Sequence, residues 1–346
     1  MEVRRVVANL VLLGSSLTVV LGGCELALRS LYPPPARFLY PQEFYDFDPE
    51  IGFRLRPGQT AFTHDRPVRV NSLGLRDGEI ATELVSGRRR VLALGDSQTF
   101  GNGLDLADTW PKQLEHILEK SGRTTWEVVN AGIPGTDTWQ HEILLRRFLG
   151  KVNPHVVILA FYVNDVVPRY DPRIVDASAL TNTWHKRVAY VLKRSAVLTW
   201  IYDREFWPWF WFGRQSARER SMEEAVLDGR NDPRVERGWR QVEQSLATMK
   251  VACDARHVKL FVAILPRRDQ VAGLLAGRAY NERARAIARG YGIEAIDLLE
   301  DLSAAYRSDG NALFIPWDGH NSAIANRVIA ARLASTLIRF GARAPE

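Results

Sequence analysis

The sequence predicts an α/β chain whose main domain is a five-stranded parallel sheet covered by helices. Three observations point there. Short runs of β-forming apolar residues recur at Val91–Leu94, Trp126–Asn130, Val156–Phe161, Val258–Leu265 and Ile293–Leu298. Between them fall segments with helical spacing, and strands that alternate with helices form parallel βαβ units with right-handed crossovers. Val156–Phe161 is apolar without alternation, as expected of a strand buried on both faces.

The chain opens on a basic head, Met1–Arg5, followed by an apolar run from Val6 to Gly23. That length suits a bilayer core or the apolar stretch of a secretory signal. Arg4 and Arg5 on the leading side place the N-terminus in the cytoplasm and the rest outside it. Three readings stand: a signal anchor over residues 1–31, a lipoprotein signal ending at Cys24, and a cleaved signal. The continuation Glu25–Leu31 keeps a helical pattern, where a lipoprotein would carry a polar tether. Pro33, Pro34 and Pro35 end that helix. Residues 32–89 carry scattered aromatics and turn signals such as Pro57-Gly58 and Asp77-Gly78. They read as an extension of short strands and loops packed on the main domain.

Helices are expected at about 108–121, up to 149, 233–255, 278–292 and 322–340. With the strands they make a three-layer, flavodoxin-like α/β/α domain over residues 90–342. Residues 166–232 interrupt it. This insertion holds Trp200 and the run Phe206-Trp207-Pro208-Trp209-Phe210-Trp211-Phe212, which cannot all face inward. Flanked by Lys186, Arg187, Lys193, Arg194 and Arg214, it suits a bilayer interface. A lid over the pocket, or packing onto the core, is the competing reading.

Composition narrows the function. With 346 residues, 46% hydrophobic and 10% aromatic, the chain can bury a full core, and global disorder is excluded. The formal charge of +6 would permit nucleic-acid binding, but arginines and carboxylates interleave and no nucleic-acid motif occurs. An anionic membrane surface or a polysaccharide fits the basic balance better. Cys24 and Cys253 make no disulfide framework. No closely spaced His/Cys cluster suggests a metal, and the Gly95–Gly101 loop lacks the Lys-Ser/Thr of a P-loop. No cofactor is expected.

The chemistry is carried by Ser97, placed by Gly95-Asp96-Ser97 just beyond the first strand. Open α/β sheets put their reactive groups at that carboxyl edge. A serine hydroxyl needs a base to take its proton, and its tetrahedral intermediate needs donors aimed at the oxyanion. Candidates follow at successive strand ends: Asn130-Ala131-Gly132-Ile133-Pro134-Gly135, then Tyr162-Val163-Asn164-Asp165. Before the last helix comes Trp317-Asp318-Gly319-His320-Asn321. Ser97 does not lie in a Gly-x-Ser-x-Gly elbow, which argues against the α/β-hydrolase fold.

In this order the four stretches resemble the signature blocks of the SGNH (GDSL-type) hydrolases, over roughly residues 71–340. The resemblance implies that Ser97 is the nucleophile, His320 the general base and Asp318 its orienter. It implies an oxyanion hole of the Ser97 and Gly135 N–H groups and the Asn164 amide, with Asp96, Tyr162 and Trp317 lining the pocket. Tyr162 stands where the family has glycine, which narrows the pocket. The Asp318-Gly319-His320 spacing is shorter than the usual Asp-x-x-His and is similar to branches that act on polysaccharide acetyl groups. Another acidic residue or a backbone carbonyl therefore competes with Asp318 as partner of the imidazole. Asn71–Asp77 resembles a stretch found upstream of the serine block in membrane-anchored bacterial members. His64, His116, His141, His155, His185 and His257 fall outside the motifs and read as structural.

The expectation is an extracytoplasmic serine esterase, tethered to a membrane by its N-terminal helix. It would hydrolyse or transfer acyl groups, foremost O-acetyl groups on envelope or exopolysaccharide sugars. A lipid esterase or lysophospholipase, and a non-catalytic carbohydrate-binding protein on the same fold, are the alternatives.

Overall fold

The computed structural model describes residues 2–32, 45–81, 87–122, 125–167, 188, 191–192, 194–201, 217–275, 277–315 and 319–341. After the N-terminal helix Glu2–Leu31 come two antiparallel hairpins: β1 (Tyr45–Asp48) with β2 (Gly52–Leu55), and β3 (Thr60–Thr63) with β4 (Arg66–Arg69). Five parallel strands follow: β5 (Arg88–Gly95), β6 (Thr125–Gly132), β7 (Val156–Phe161), β8 (Lys259–Ile264) and β9 (Glu294–Asp297). Their spatial order is β6-β5-β7-β8-β9. In sequence terms this is 2-1-3-4-5, the flavodoxin-like order, and its switch point lies between β5 and β7.

Alternation along the strands assigns each residue to one face. Val91, Ala93, Ile158 and Phe261 pack with the helices Trp110–Lys120, Leu299–Asp309 and Ala323–Gly341. Leu92, Leu94, Leu159 and Val262 pack with Thr138–Val152, Pro233–Asp254 and Ala279–Gly290. Two cores thus sandwich the sheet, and the fold is the three-layer α/β/α arrangement. Each fully buried aliphatic side chain contributes about 1.5–3 kcal/mol. Tyr280 stacks on Phe161 with centroids 5.6 Å apart. Its hydroxyl donates to the Phe161 carbonyl at 3.0 Å and lies 3.3 Å from the Leu265 carbonyl, which ties the carboxyl ends of β7 and β8 together.

The hairpins close over one of these cores through Ile51, Phe53, Leu55 and Val68. Arg147, on the helix Thr138–Val152, grips the Asp48 carboxylate with two bonds of 2.6 and 2.8 Å. Burial alone would raise the Asp48 pKa. The Arg147 bonds and the Ile51 and Glu50 amides outweigh it and hold the carboxyl below its ordinary range.

The chain divides into two compact units, Met1–Gln42 with Thr181–Ser216, and Glu43–Leu180 with Ala217–Glu346. The sheet belongs wholly to the second. In the first, Glu2–Leu31 is a single helix long and apolar enough to cross a membrane, and none of its residues is buried. Its last turns are not bare. The Glu25 carboxylate accepts from the amides of Ala196 (2.8 Å) and Val197 (3.1 Å) and from the Ser195 hydroxyl (2.7 Å). It thereby caps the short helix Ala196–Ile201. Arg29 donates to the Arg194 carbonyl at 2.7 Å.

Candidate active site

Ser97 follows β5 and Asn164 follows β7, so the two strands at the switch point deliver them to one edge. Ser97 opens a one-turn helix, Ser97–Phe100, and Asp96 caps it by accepting from the Gln98 amide at 2.8 Å. Two glycines let this turn sit tight on the strand ends. A Cβ at Gly132 would lie 2.2 Å from the Phe100 nitrogen, and one at Gly95 2.2 Å from Thr99 Oγ1. The turn is also held from the side, because the Asn130 amide donates to the Thr99 carbonyl at 3.0 Å.

His320 arrives on the loop before the helix Ala323–Gly341, and its Nε2 lies 2.8 Å from Ser97 Oγ. The loop is fixed on both sides. Ile315 donates to the His320 carbonyl at 2.8 Å, and the Asn321 amide donates to Gln98 Oε1 at 3.2 Å. Asn326 holds the start of the helix by donating to the carbonyls of Asn321 (3.2 Å) and Ser322 (2.9 Å). Both Ser97 and His320 are half-buried, so the pair can meet a substrate.

The Asn164 side chain is buried and donates from Nδ2 to Asp96 Oδ2 at 3.0 Å. Asp96 therefore does two things at once: one oxygen caps the serine turn and the other orients Asn164. An amide nitrogen carries two hydrogens, so one remains for an oxyanion. Gly135 forms a half-buried turn with Pro134 at the end of β6, with φ at +80°.

Tyr162 closes β7 and donates its backbone N–H to Asp165 Oδ2 at 2.7 Å. Burial raises its phenol pKa, helped by the negative charges of Glu223, Asp96 and Asp269. Arg267, just beyond β8, faces the same group and pairs with Glu223 at 3.3 Å and with Asp269. Trp317 and Asp318 lie outside the described residues. The structure thus brings Ser97, His320, Asp96 and Asn164 together, with Gly135 and Tyr162 at the ends of the neighbouring strands. Gln98, Asn326 and Arg267 escaped the sequence reading. Gln98 directly follows the serine, but its task comes from the contact with Asn321, and no spacing announces such a contact.

Solved structures similar to this chain include TesA, with 16% identity, 72% of this chain and 98% of that one covered, and a TM-score of 0.44. The psychrotrophic esterase EstA from Pseudoalteromonas sp. shares 12% identity over 73% of this chain and 98% of its own, with a TM-score of 0.43. A lipase/acylhydrolase from Enterococcus faecalis shares 15% over 72% and 95%, with a TM-score of 0.41. No curated protein matches the chain. The family model of the GDSL-like lipases/acylhydrolases matches residues 93–327, a span that holds the serine turn, both strand-end loops and the histidine, and the chain belongs to that family of ester-bond hydrolases.

Proposed function

We propose that the protein is a membrane-anchored serine esterase facing the outside of the cytoplasm, acting on small acyl esters such as O-acetyl groups of envelope or exopolysaccharide sugars. The observation that carries this reading is the 2.8 Å approach of His320 Nε2 to Ser97 Oγ at the sheet's switch point. In this mechanism His320 takes the hydroxyl proton as Ser97 Oγ bonds to the ester carbonyl carbon. The Ser97 and Gly135 N–H groups and the Asn164 amide stabilise the resulting oxyanion. Collapse expels the alcohol, which takes the proton from His320. Water, or a sugar hydroxyl in a transferase, then attacks the acyl-enzyme with His320 again as base. Asp318 orients the imidazole in this scheme.

Tyr162 supports a small acyl group, since it fills space that the family's glycine leaves open. Arg4 and Arg5 ahead of the apolar helix support the orientation. The bonds of Arg194–Val197 to Glu25 and Arg29 support seating the base of the insertion beside the anchor, which favours the interfacial reading of its aromatic run. The test compares chromogenic acetyl and octanoyl esters, using wild type and Ser97→Ala. Wild type should cleave the acetyl ester with the higher kcat/KM, and Ser97→Ala should lose at least about 10³-fold. Preference for the octanoyl ester would contradict the small-acyl assignment, and activity retained in Ser97→Ala would contradict the serine mechanism.

A further inference from the structure

The segment Asn71–Asp77 brings a buried cation to the back of the serine turn. Asn71 closes the segment into a tight loop: its Oδ1 accepts from the amides of Leu73 (3.0 Å) and Leu75 (2.9 Å). Its Nδ2 donates to the Gly78 carbonyl at 2.8 Å. Arg76 leaves this loop inward and is only 1% exposed. Its Nη1 donates to the carbonyls of Phe100 and Gly101, both at 2.7 Å, and its Nη2 to Leu104 at 2.6 Å. The guanidinium lies over the Phe100 ring, 4.7 Å from the centroid. Among the described residues no carboxylate pairs with it directly, and Asp105 offsets its charge from farther away. Burial draws its pKa down to about 10, so the group is charged at neutral pH.

The two peptide units that Arg76 grips point their other ends at Ser97. The Gly101 amide, on the unit whose carbonyl is Phe100, donates to the Ser97 carbonyl at 3.0 Å. The Asn102 amide, on the unit whose carbonyl is Gly101, donates to the same oxygen at 3.1 Å. One charged nitrogen therefore polarises two peptides that converge on the nucleophile's own carbonyl, and hydrogen bonds in such chains strengthen one another. Four residues do not sustain a helix by themselves, because nucleation is unfavourable. A cation at the carbonyl end of the turn is also electrostatically favourable. Asp77 adds a second brace: it accepts from the Asn130 amide at 2.8 Å, and the Asn130 side chain holds the Thr99 carbonyl.

We propose that Arg76 is a positioning residue that fixes the orientation of Ser97 through the Phe100–Gly101 and Gly101–Asn102 peptides. This rests on Ser97 being the nucleophile. The alternative is that Arg76 merely stabilises the fold, and the two part company in kinetics. Full-length Arg76→Met and Arg76→Lys are purified in detergent, and competent sites are counted by titration to completion with a fluorophosphonate. kcat per titrated site and KM are then measured on an acetyl ester. Positioning predicts that Arg76→Met loses about 10- to 10²-fold in kcat per site with KM within about twofold, the mark of an effect confined to the transition state. Arg76→Lys, which keeps the charge but not the fork, should lose less than about tenfold yet measurably. Fewer titratable sites with unchanged kcat per site would overturn the proposal. Should Arg76→Met fail to fold, Arg76→Lys decides alone: a lowered kcat per site supports positioning, and an unchanged one overturns it. If the wild type itself takes no label at Ser97, the nucleophile assignment fails and this inference with it.

Discussion

The most economical feature at the scale of single residues is Asp96. Its Oδ1 accepts from Gln98 at 2.8 Å and its Oδ2 from Asn164 at 3.0 Å. One carboxylate thereby couples the orientation of the serine turn to that of the Asn164 amide, the donor proposed for the oxyanion. A donor aimed at charge that develops only during reaction stabilises the transition state more than the bound ester. Asn164→Ala should therefore lower kcat by roughly 10²–10³-fold with little change in KM, measured by steady-state kinetics on a chromogenic ester. A rise in KM at constant kcat would make Asn164 a ground-state contact instead. Ser97, His320 and Asn164 were legible in the sequence because each sits in a short motif at a strand end or before a helix. Gln98 and Arg76 were not. Their tasks are contacts with backbone atoms of residues that only the fold brings near.

At the scale of elements, the helix Thr138–Val152 and the turn Val163–Val166 meet through a buried polar pair. His141 Nε2 bonds the Thr136 hydroxyl at 2.9 Å, and its Nδ1 lies 3.6 Å from Asp165 Oδ1. Burial holds the His141 pKa down at about 3, although the Gly95 carbonyl works against it. Asp165 is pushed well above the carboxylate range by burial and by Asp96 and Asp137 nearby. Between pH 6.5 and about 3 the unfolded histidine binds a proton that the folded one refuses. Unfolding free energy then rises with pH in this window, and that contribution is lost as pH falls through it. Asp165 acts in the opposite sense, so the histidine must be isolated by substitution. Chemical denaturation from pH 7 to 3 should show His141→Gln losing less stability on acidification than wild type. The difference in slope reaches at most about 1.36 kcal/mol per pH unit. Parallel curves would show that His141 titrates normally in the fold. The large elements were readable because their apolar spacing is long and regular. The helix Leu299–Asp309 escaped because only Leu299 and Leu302 are buried, too few to mark a period. β6 runs on to Gly132, past the expected end at Asn130, because Gly132 pairs with Gly95 and abuts Phe100, which a reading of glycines as a turn misses.

At the scale of the whole molecule, the 2-1-3-4-5 sheet explains why residues from 97 to 320 can form one site. The order puts β5 and β7 side by side, and their carboxyl ends release the loops that carry Ser97 and Asn164, the proposed nucleophile and oxyanion donor. The N-terminal hairpins and the loop after them are part of this unit: Arg147 ties Asp48 of β1 to the helix Thr138–Val152, and Arg76, in the loop, holds the serine turn. Membership of an ester-hydrolase family and the contact between His320 and Ser97 lead to one central claim, that Ser97 becomes covalently acylated during turnover. The direct measurement is peptide mapping by mass spectrometry after brief treatment of the full-length protein with a fluorophosphonate. It should find a single phosphonylated serine, Ser97, with labelling in step with loss of esterase activity and much slower labelling in His320→Ala. Complete loss of activity with the adduct on another serine, or full activity in protein labelled at Ser97, would contradict it.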